Sequence, residues 1–445
     1  MNILEFGYNQ TDITPSYGIP LAGYFNPRPN KGALDRLNVK TAVFRTGKEY
    51  AAIVSCDLCM LDGKFIDKLE NRLTAANSPL AGKVLYCATH THTGPYTAPL
   101  FGLEPDPAYM DILENAILST LSRALSSLAP AELYTTVTEC ATLAFNRRYI
   151  MKDGKTLTNP GKLNADIVRP EGGIDPKIIL MEIRQDGRPA LLIANISNHT
   201  DTIGGDFVSA DWPGKMEREI QYKLGFDLPV MTIIAPQGNI NHFNVATAAD
   251  QTGYEEACRI GKGYAGVILA ALYQLKKQEN TAIITKSGSF AAPYYQLTDA
   301  EYAEAKKVYE ENKDAVMEDG KDFTSEDIAR GVPAVKKLFA EMALSCRDTP
   351  ITEERICRQF MVSFGDELAI VSLPAEPFVE LGDAIRAGSR FPLTVLAALG
   401  MGEIGYVGLK DRHYGNGGYE TLPARVLANR GVGEAIINGA LELLK

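Results

Sequence analysis

Short apolar runs alternate with amphipathic stretches along almost the whole chain, and this alternation restricts the fold more than any other feature. TAVFRTGKEYAAIVSCDL holds two apolar runs around the polar turn Thr46-Gly47-Lys48, a hairpin signal. KFIDKLENRLTAAN has helical spacing, and KVLYCA reads as a short buried strand. Asp106 and Pro107 suit the N-cap and first position of a helix over AYMDILENAILSTLSRALSSL. ELYTTVTECATLAF alternates like a strand, and Asn146 to Gly173 reads as a long polar loop. A second run follows: strands KIILMEIR and PALLIANIS, helix GKMEREIQYKL, strand LPVMTIIAP and helix YEEACRIGKGYAGVILAALYQL. Residues 297–346 are charged and helix-prone, after which strands return in RQFMVSFGD, ELAIVSLP and LTVLAAL, with helices VELGDAIRAG and VGEAIINGALELL. The pattern predicts an α/β protein with mixed sheets flanked by helices, a site at strand-end loops, and a helical insertion. With no Pro/Ser/Gly linker and no repeat of about 20–50 residues, the 445 residues read as one domain, 1–445, with the insertion at 297–346.

Charge narrows the partners. The 55 acidic against 45 basic residues give a formal charge of −10, which argues against a nucleic-acid partner and against an anionic membrane surface. No run of about 18 apolar residues is present, so no transmembrane helix is expected. MNILEFGYNQTDITP has neither the basic nor the apolar region of a secretion signal, and the seven cysteines suit reduced thiols, so a cytoplasmic location is expected. Cys56 and Cys59 form a C-x-x-C within AAIVSCDLCM; two buried strand thiols are the favoured reading over a redox or zinc pair.

The five histidines, His90, His92, His199, His242 and His413, all fall in segments that read as loops at strand ends. In CATHTHTGP an extended backbone would turn His90 and His92 to one face, one as a metal ligand and the other as an acid/base or substrate contact. Two exposed loop histidines are the competing reading. His199 follows the strand of LLIANISNHTD, where a hydrogen-bonded structural histidine is the alternative to a ligand. Asn239, Asn241 and His242 in QGNINH could contact substrate or stabilise a turn. Glu376 in PAEP stands at a strand-to-helix elbow, as a ligand or a helix-start charge. Tyr406 and Tyr419 lie in Gly-rich loops, Asp57 is a candidate support for the ligands, Asp211 a helix-start carboxylate, and His413 a loop residue. Two imidazoles and a carboxylate at separate strand ends, with a coordination position left open, are the donor set of hydrolytic zinc.

FGYNQTDITPSYGIPLAGY, ATHTHTGP, FNRR, SNHTDT, PQGNIN, LPAEPFVELG, GYVG and GGYET occur in an order that resembles the catalytic part of the neutral, non-lysosomal ceramidases. ATHTHTGP is the most specific of these segments. The resemblance covers almost the whole chain and implies zinc held by His90, His199, Glu376 and Tyr406, with His92 as the adjacent catalytic histidine. It also implies that Arg147 and Tyr419 contact the reacting group of the substrate. Asn241 stands where the family has a serine, and the family's additional C-terminal β-domain lies outside the likeness. The expected activity is zinc-dependent hydrolysis of a linear, lipid-like amide; an ester or sugar-linked amide of a polar substrate, and an inactive binding protein, are the alternatives.

Overall fold

Polar turns and capped helices partition the chain as follows in the computed structural model, which describes residues 3–100, 102–317 and 323–445. β1 (Leu4–Asp12) pairs antiparallel with β2 (Asn38–Thr46), and the turn at Gly47, φ +65°, closes β2 onto β3 (Glu49–Cys56). The chain then crosses through α1 (Gly63–Ala75) and returns as β4 (Val84–Ala88), parallel to β3. α2 (Pro107–Ser126) follows, its start fixed by Asp106, which accepts the Tyr109 N–H at 2.8 Å, and by Pro107 in the first turn.

The same order recurs twice. β5 (Glu132–Glu139), β6 (Lys177–Gln185) and β7 (Arg188–Ile196) are antiparallel neighbours; α3 (Asp211–Leu224) leads to β8 (Val230–Ile234), parallel to β7, and α4 (Tyr254–Ala271) follows. β9 (Ile283–Ala291) is separated from β10 (Ile356–Phe364) by α5 (Asp299–Asn312), α6 (Ser325–Arg330) and α7 (Pro333–Asp348). These helices occupy the stretch read as an insertion, of which residues 318–322 lie outside the described residues. β10 pairs antiparallel with β9 and with β11 (Leu368–Leu373); α8 (Val379–Gly388) leads to β12 (Leu393–Ala398), parallel to β11, and α9 (Val432–Leu443) ends the series.

Alternating side chains bury both faces of each sheet. Inward, Phe6 and Phe44, Met181 and Ile193, and Phe360 and Val362 belong to one shared core. Outward, Val43 and Val54 pack with α1 and α2, Leu180 and Leu192 with α3 and α4, and Val371 and Leu396 with α8 and α9. The mixed, helix-flanked architecture read from the sequence is therefore present.

Topology also fixes where a site can form. The third and fourth strands of each unit run parallel, so both end at one edge, and the connection from first to second strand lies at that edge too. Open sheets bind ligands outside the carboxyl ends of such strands. Among the described residues no helix is long and apolar enough to cross a membrane.

Two segments differ from the reading. Asn146 to Gly173 is not a loop throughout: Arg148–Met151 pairs antiparallel with Thr156–Thr158 and with Ile167–Pro170. Its ordering comes from ion pairs to the fully buried Arg148, so no apolar pattern announces it. β9 carries no apolar signal in the sequence: it is an edge strand whose side chains are mostly exposed or half-buried, and TKSGSF lacks an apolar rhythm.

Candidate metal centre

Loops from all three sheets converge at that common edge. His90 follows β4 with φ +69°, a left-handed conformation, and its N–H donates to Leu58 O at 2.8 Å. The extended backbone expected of CATHTHTGP is therefore interrupted, but the two imidazoles still meet, with Nε2 of His90 and His92 3.3 Å apart. His92 is half-buried; its carbonyl accepts from Arg28 Nη2 at 2.7 Å, and its ring lies edge-on to Tyr24, centroids 5.6 Å apart. His199, fully buried, follows β7. Glu376 follows β11, and a two-residue bridge pairs it with Tyr406. A second bridge, Ile240–Asn241 against Phe145–Asn146, sets the position of Arg147.

Glu376 Oε2 lies 3.0 Å from His90 Nε2 and 3.1 Å from His199 Nε2. Both rings have their other nitrogen committed: His90 Nδ1–H donates to Cys59 O at 2.8 Å, and His199 Nδ1–H to Gln237 O and Ile240 O at 3.0 and 2.9 Å. With both rings neutral each Nε2 presents a lone pair to a buried carboxylate oxygen without a hydrogen-bond donor. The chain itself relieves this by a proton on His90, whose imidazole burial would lower but Glu376 raises well above its ordinary value. A divalent cation resolves the same conflict, and two imidazoles with one carboxylate match zinc's preferences. Tyr406 OH is 3.4 Å from His199 Nε2 and 3.0 Å from Tyr419 OH. Arg147 Nη1 is 3.5 Å from the same His199 nitrogen, and its Nη2 donates to Gly238 O at 2.8 Å. Among the described residues the groups able to hold an ion are His90–His199–Glu376 and Cys59–His90–His92. In the second group, Cys59 Sγ is 3.8 Å from His90 Nδ1.

The charge states follow from burial and neighbours. Burial would raise the Glu376 carboxyl, but His90 and His199 hold it well below its ordinary value. Burial, then the His90 charge, push His92 well below the imidazole range. Burial pushes the Tyr419 phenol up to about 12 although Arg147 opposes it, so its hydroxyl remains a donor.

The remaining candidates lie beside this cluster. Asn239 is fully buried; its Nδ2 donates to Glu380 Oε2 at 3.0 Å and its Oδ1 accepts from Val379 N at 2.9 Å. Asn241 Nδ2 donates to Asn159 Oδ1 at 3.3 Å, and its Oδ1 accepts from Phe243 N at 3.1 Å. His242 Nε2–H donates to Gln251 O at 2.7 Å, with Nδ1 3.3 Å from Asp201 Oδ1. Asp57 Oδ2 accepts from Asn38 N at 2.9 Å, and Asp211 is the first residue of α3. His413 is not in a loop: it ends the one-turn helix Lys410–His413, is fully buried, and its Nε2 lies 3.6 Å from Glu380 Oε2, a burial that its polar neighbours in KDRHYGNGG concealed.

Glu420, Asp201 and Glu403 escaped the reading. Glu420 Oε1 is 2.9 Å from Arg147 Nε and its Oε2 is 2.8 Å from Arg148 Nη1. Burial, then the Glu376 charge, push the Glu403 carboxyl up to about 7. The available signal was Glu420 directly after Tyr419 and Asp201 two residues after His199.

No protein-family model matches the chain, and no curated protein matches it in sequence. Solved structures do. A neutral ceramidase from Pseudomonas aeruginosa matches with a TM-score of 0.70 at 16% identity, over 100% of this chain and 75% of that one. A ceramidase complexed with C2 matches with a TM-score of 0.73 at 16% identity, over the same shares. The chain thus has a neutral ceramidase-like fold.

Proposed function

We propose that this neutral ceramidase-like fold carries a zinc-dependent hydrolase of linear N-acyl amides, with water as the nucleophile. The observation that supports it most directly is the convergence of His90, His199 and Glu376 on one carboxylate oxygen, with Tyr406 alongside. These four side chains would hold the ion. Bound there, zinc supplies a Lewis acid and lowers the pKa of a coordinated water from about 15.7 to about 7.

The chain's own groups do the rest. His92, neutral and half-buried at the rim, takes the proton from the attacking water and returns it to the leaving amine. Arg147 and Tyr419 donate to the oxygen on which negative charge develops, and one such donor is worth about 3 kcal/mol. Asn241 offers no hydroxyl, and its amide is committed to Asn159 and Phe243, so the nucleophile comes from solvent. The test is His90→Ala: zinc content measured by elemental analysis is expected to fall with N-acyl amide turnover. Retained stoichiometric zinc would remove His90 from the ligand set.

A further inference from the structure

A cavity of about 880 Å³ is lined by two groups of residues that contact neighbours of the metal centre, namely Arg147, Asn241 and His242. Asn159 is the first: φ is +46°, its N–H donates to Arg147 O at 2.7 Å, and its side chain accepts from Asn241. A non-glycine residue in this conformation is held there by its surroundings. The second is Gln251, whose carbonyl accepts from His242, together with Phe243, whose ring lies 4.2 Å from that of His242.

The lining has a definite chemistry. Ten of its seventeen residues carry a charged or amide side chain. Lys152, Lys162 and Arg330 are balanced by Asp153, Asp166 and Glu326, so the lining has no net formal charge. Lys152 pairs with Asp166 at 3.3 Å and Arg330 with Glu326 at 2.6 Å, while Lys162 Nζ donates to Ala249 O at 2.6 Å. A phosphate or carboxylate gains nothing from a neutral lining, and an alkyl chain would displace water from ionic groups without replacing its hydrogen bonds. Hydroxyls both donate and accept: the amide N–H groups of Asn159 and Asn244, whose side-chain oxygens already accept from Asn241 and Ala246, can donate to them, and the carboxylates of Asp153 and Asp166 can accept from them. Phe243, one side of whose ring lies against His242, lines the cavity and offers an apolar contact for the C–H side of a ring.

We infer that this cavity receives a neutral, hydroxyl-rich amine half, making the preferred substrate an N-acyl amino sugar rather than a two-chain lipid amide. The inference rests on the amide-hydrolase reading above. Hydrolysis then breaks the amide C–N bond: the carbonyl carbon takes the water oxygen and leaves as the acid, and the proton goes to the nitrogen of the amino sugar.

Two measurements on the zinc-loaded full chain test it. In steady-state assays, N-acyl glucosamine is expected to exceed short-chain ceramide at least tenfold in kcat/KM. Phe243→Ala should raise KM for the sugar substrate about tenfold, the effect of losing one ring contact. Preference for ceramide overturns the inference. Independently of turnover, saturation-transfer NMR with N-acetylglucosamine should show binding that weakens in Phe243→Ala and in Lys162→Ala. That binding pattern without cleavage of any amide upholds the cavity and sinks the hydrolase reading. Absence of sugar binding to the unaltered chain, or binding indifferent to both substitutions, sinks the cavity assignment alone.

Discussion

Glu420 has both carboxylate oxygens committed to arginines: Oε1 to Arg147, and Oε2 to Arg148 and, at 2.6 Å, to Thr158 Oγ1. It is a positioning residue for Arg147 and sits directly after Tyr419. Glu420→Gln keeps the shape and removes the charge, so Arg147 loses its orientation while the ion-holding groups stay in place. Turnover is expected to fall about 100-fold, as for a small misplacement of a reacting group, with KM and zinc content nearly unchanged. Glu420→Ala leaves the buried Arg147 guanidinium uncompensated and Arg148 with Glu171 alone, and should cost about 3–5 kcal/mol, read as a lowered Tm. A second residue gives a pH signature. Burial pushes the Asp57 carboxyl up to about 6, against the partial opposition of Lys40. The raised value means that the folded chain favours the protonated form. The associated stability is fully present below about pH 4 and is lost as pH rises through about 6, a difference of about 3 kcal/mol. Asp57→Asn should remove that slope from denaturant unfolding curves recorded between pH 4 and 7; an unchanged slope would assign it to another group. At this scale the sequence announced His90, His92, His199 and Glu376 through their spacing after apolar runs. Glu420 stayed hidden because its importance comes from two arginines 273 and 272 positions away, Arg147 and Arg148.

Strand-end loops can meet only where backbones approach closely, and Gly238 is such a place. A Cβ there would lie 2.3 Å from the carbonyl oxygen of Glu376, while Gly238 N–H donates to Pro377 O at 2.9 Å. Gly238→Ala must therefore push the β8 and β11 loops apart. Overpacking of this kind costs about 1–3 kcal/mol, and a zinc titration should show at least tenfold weaker binding. Gly63→Ala, at the start of α1 with open space around it, serves as the control and should leave zinc affinity unaltered. Apolar periodicity made nearly all the helices and core strands legible, including the start of α2 to the residue. It failed where order comes from other sources, as in the ion-paired sheet around Arg148 and the exposed edge strand β9.

Across the molecule, three units with one topology enclose a single apolar interior. No sequence repeat reveals them, because equivalent positions hold different residues. Cys59, His199 and Glu376 each lie three residues beyond the third strand of their unit, as thiol, imidazole and carboxylate. His90 and Leu399 are likewise matched: each is left-handed, at φ +69° and +53°, and each donates its N–H across to the loop after the third strand, to Leu58 O and Ala375 O. The period is that of a whole sheet, far longer than the short repeats a sequence scan detects. We propose on these grounds that the units do not fold independently, since the inner face of each sheet has no cover except the other two. Phe44 of the first unit stacks edge-on against Phe364 of the third, centroids 5.0 Å apart. Phe364→Ala should cost about 3–5 kcal/mol and should lower one calorimetric transition for the entire chain. It should also weaken zinc binding, although Phe364 lies at the far end of its strand from the loops that hold the metal centre. Separate transitions, with only the third unit's lowered, would mean that each sheet is stable alone and that the shared interior is a contact surface between finished domains.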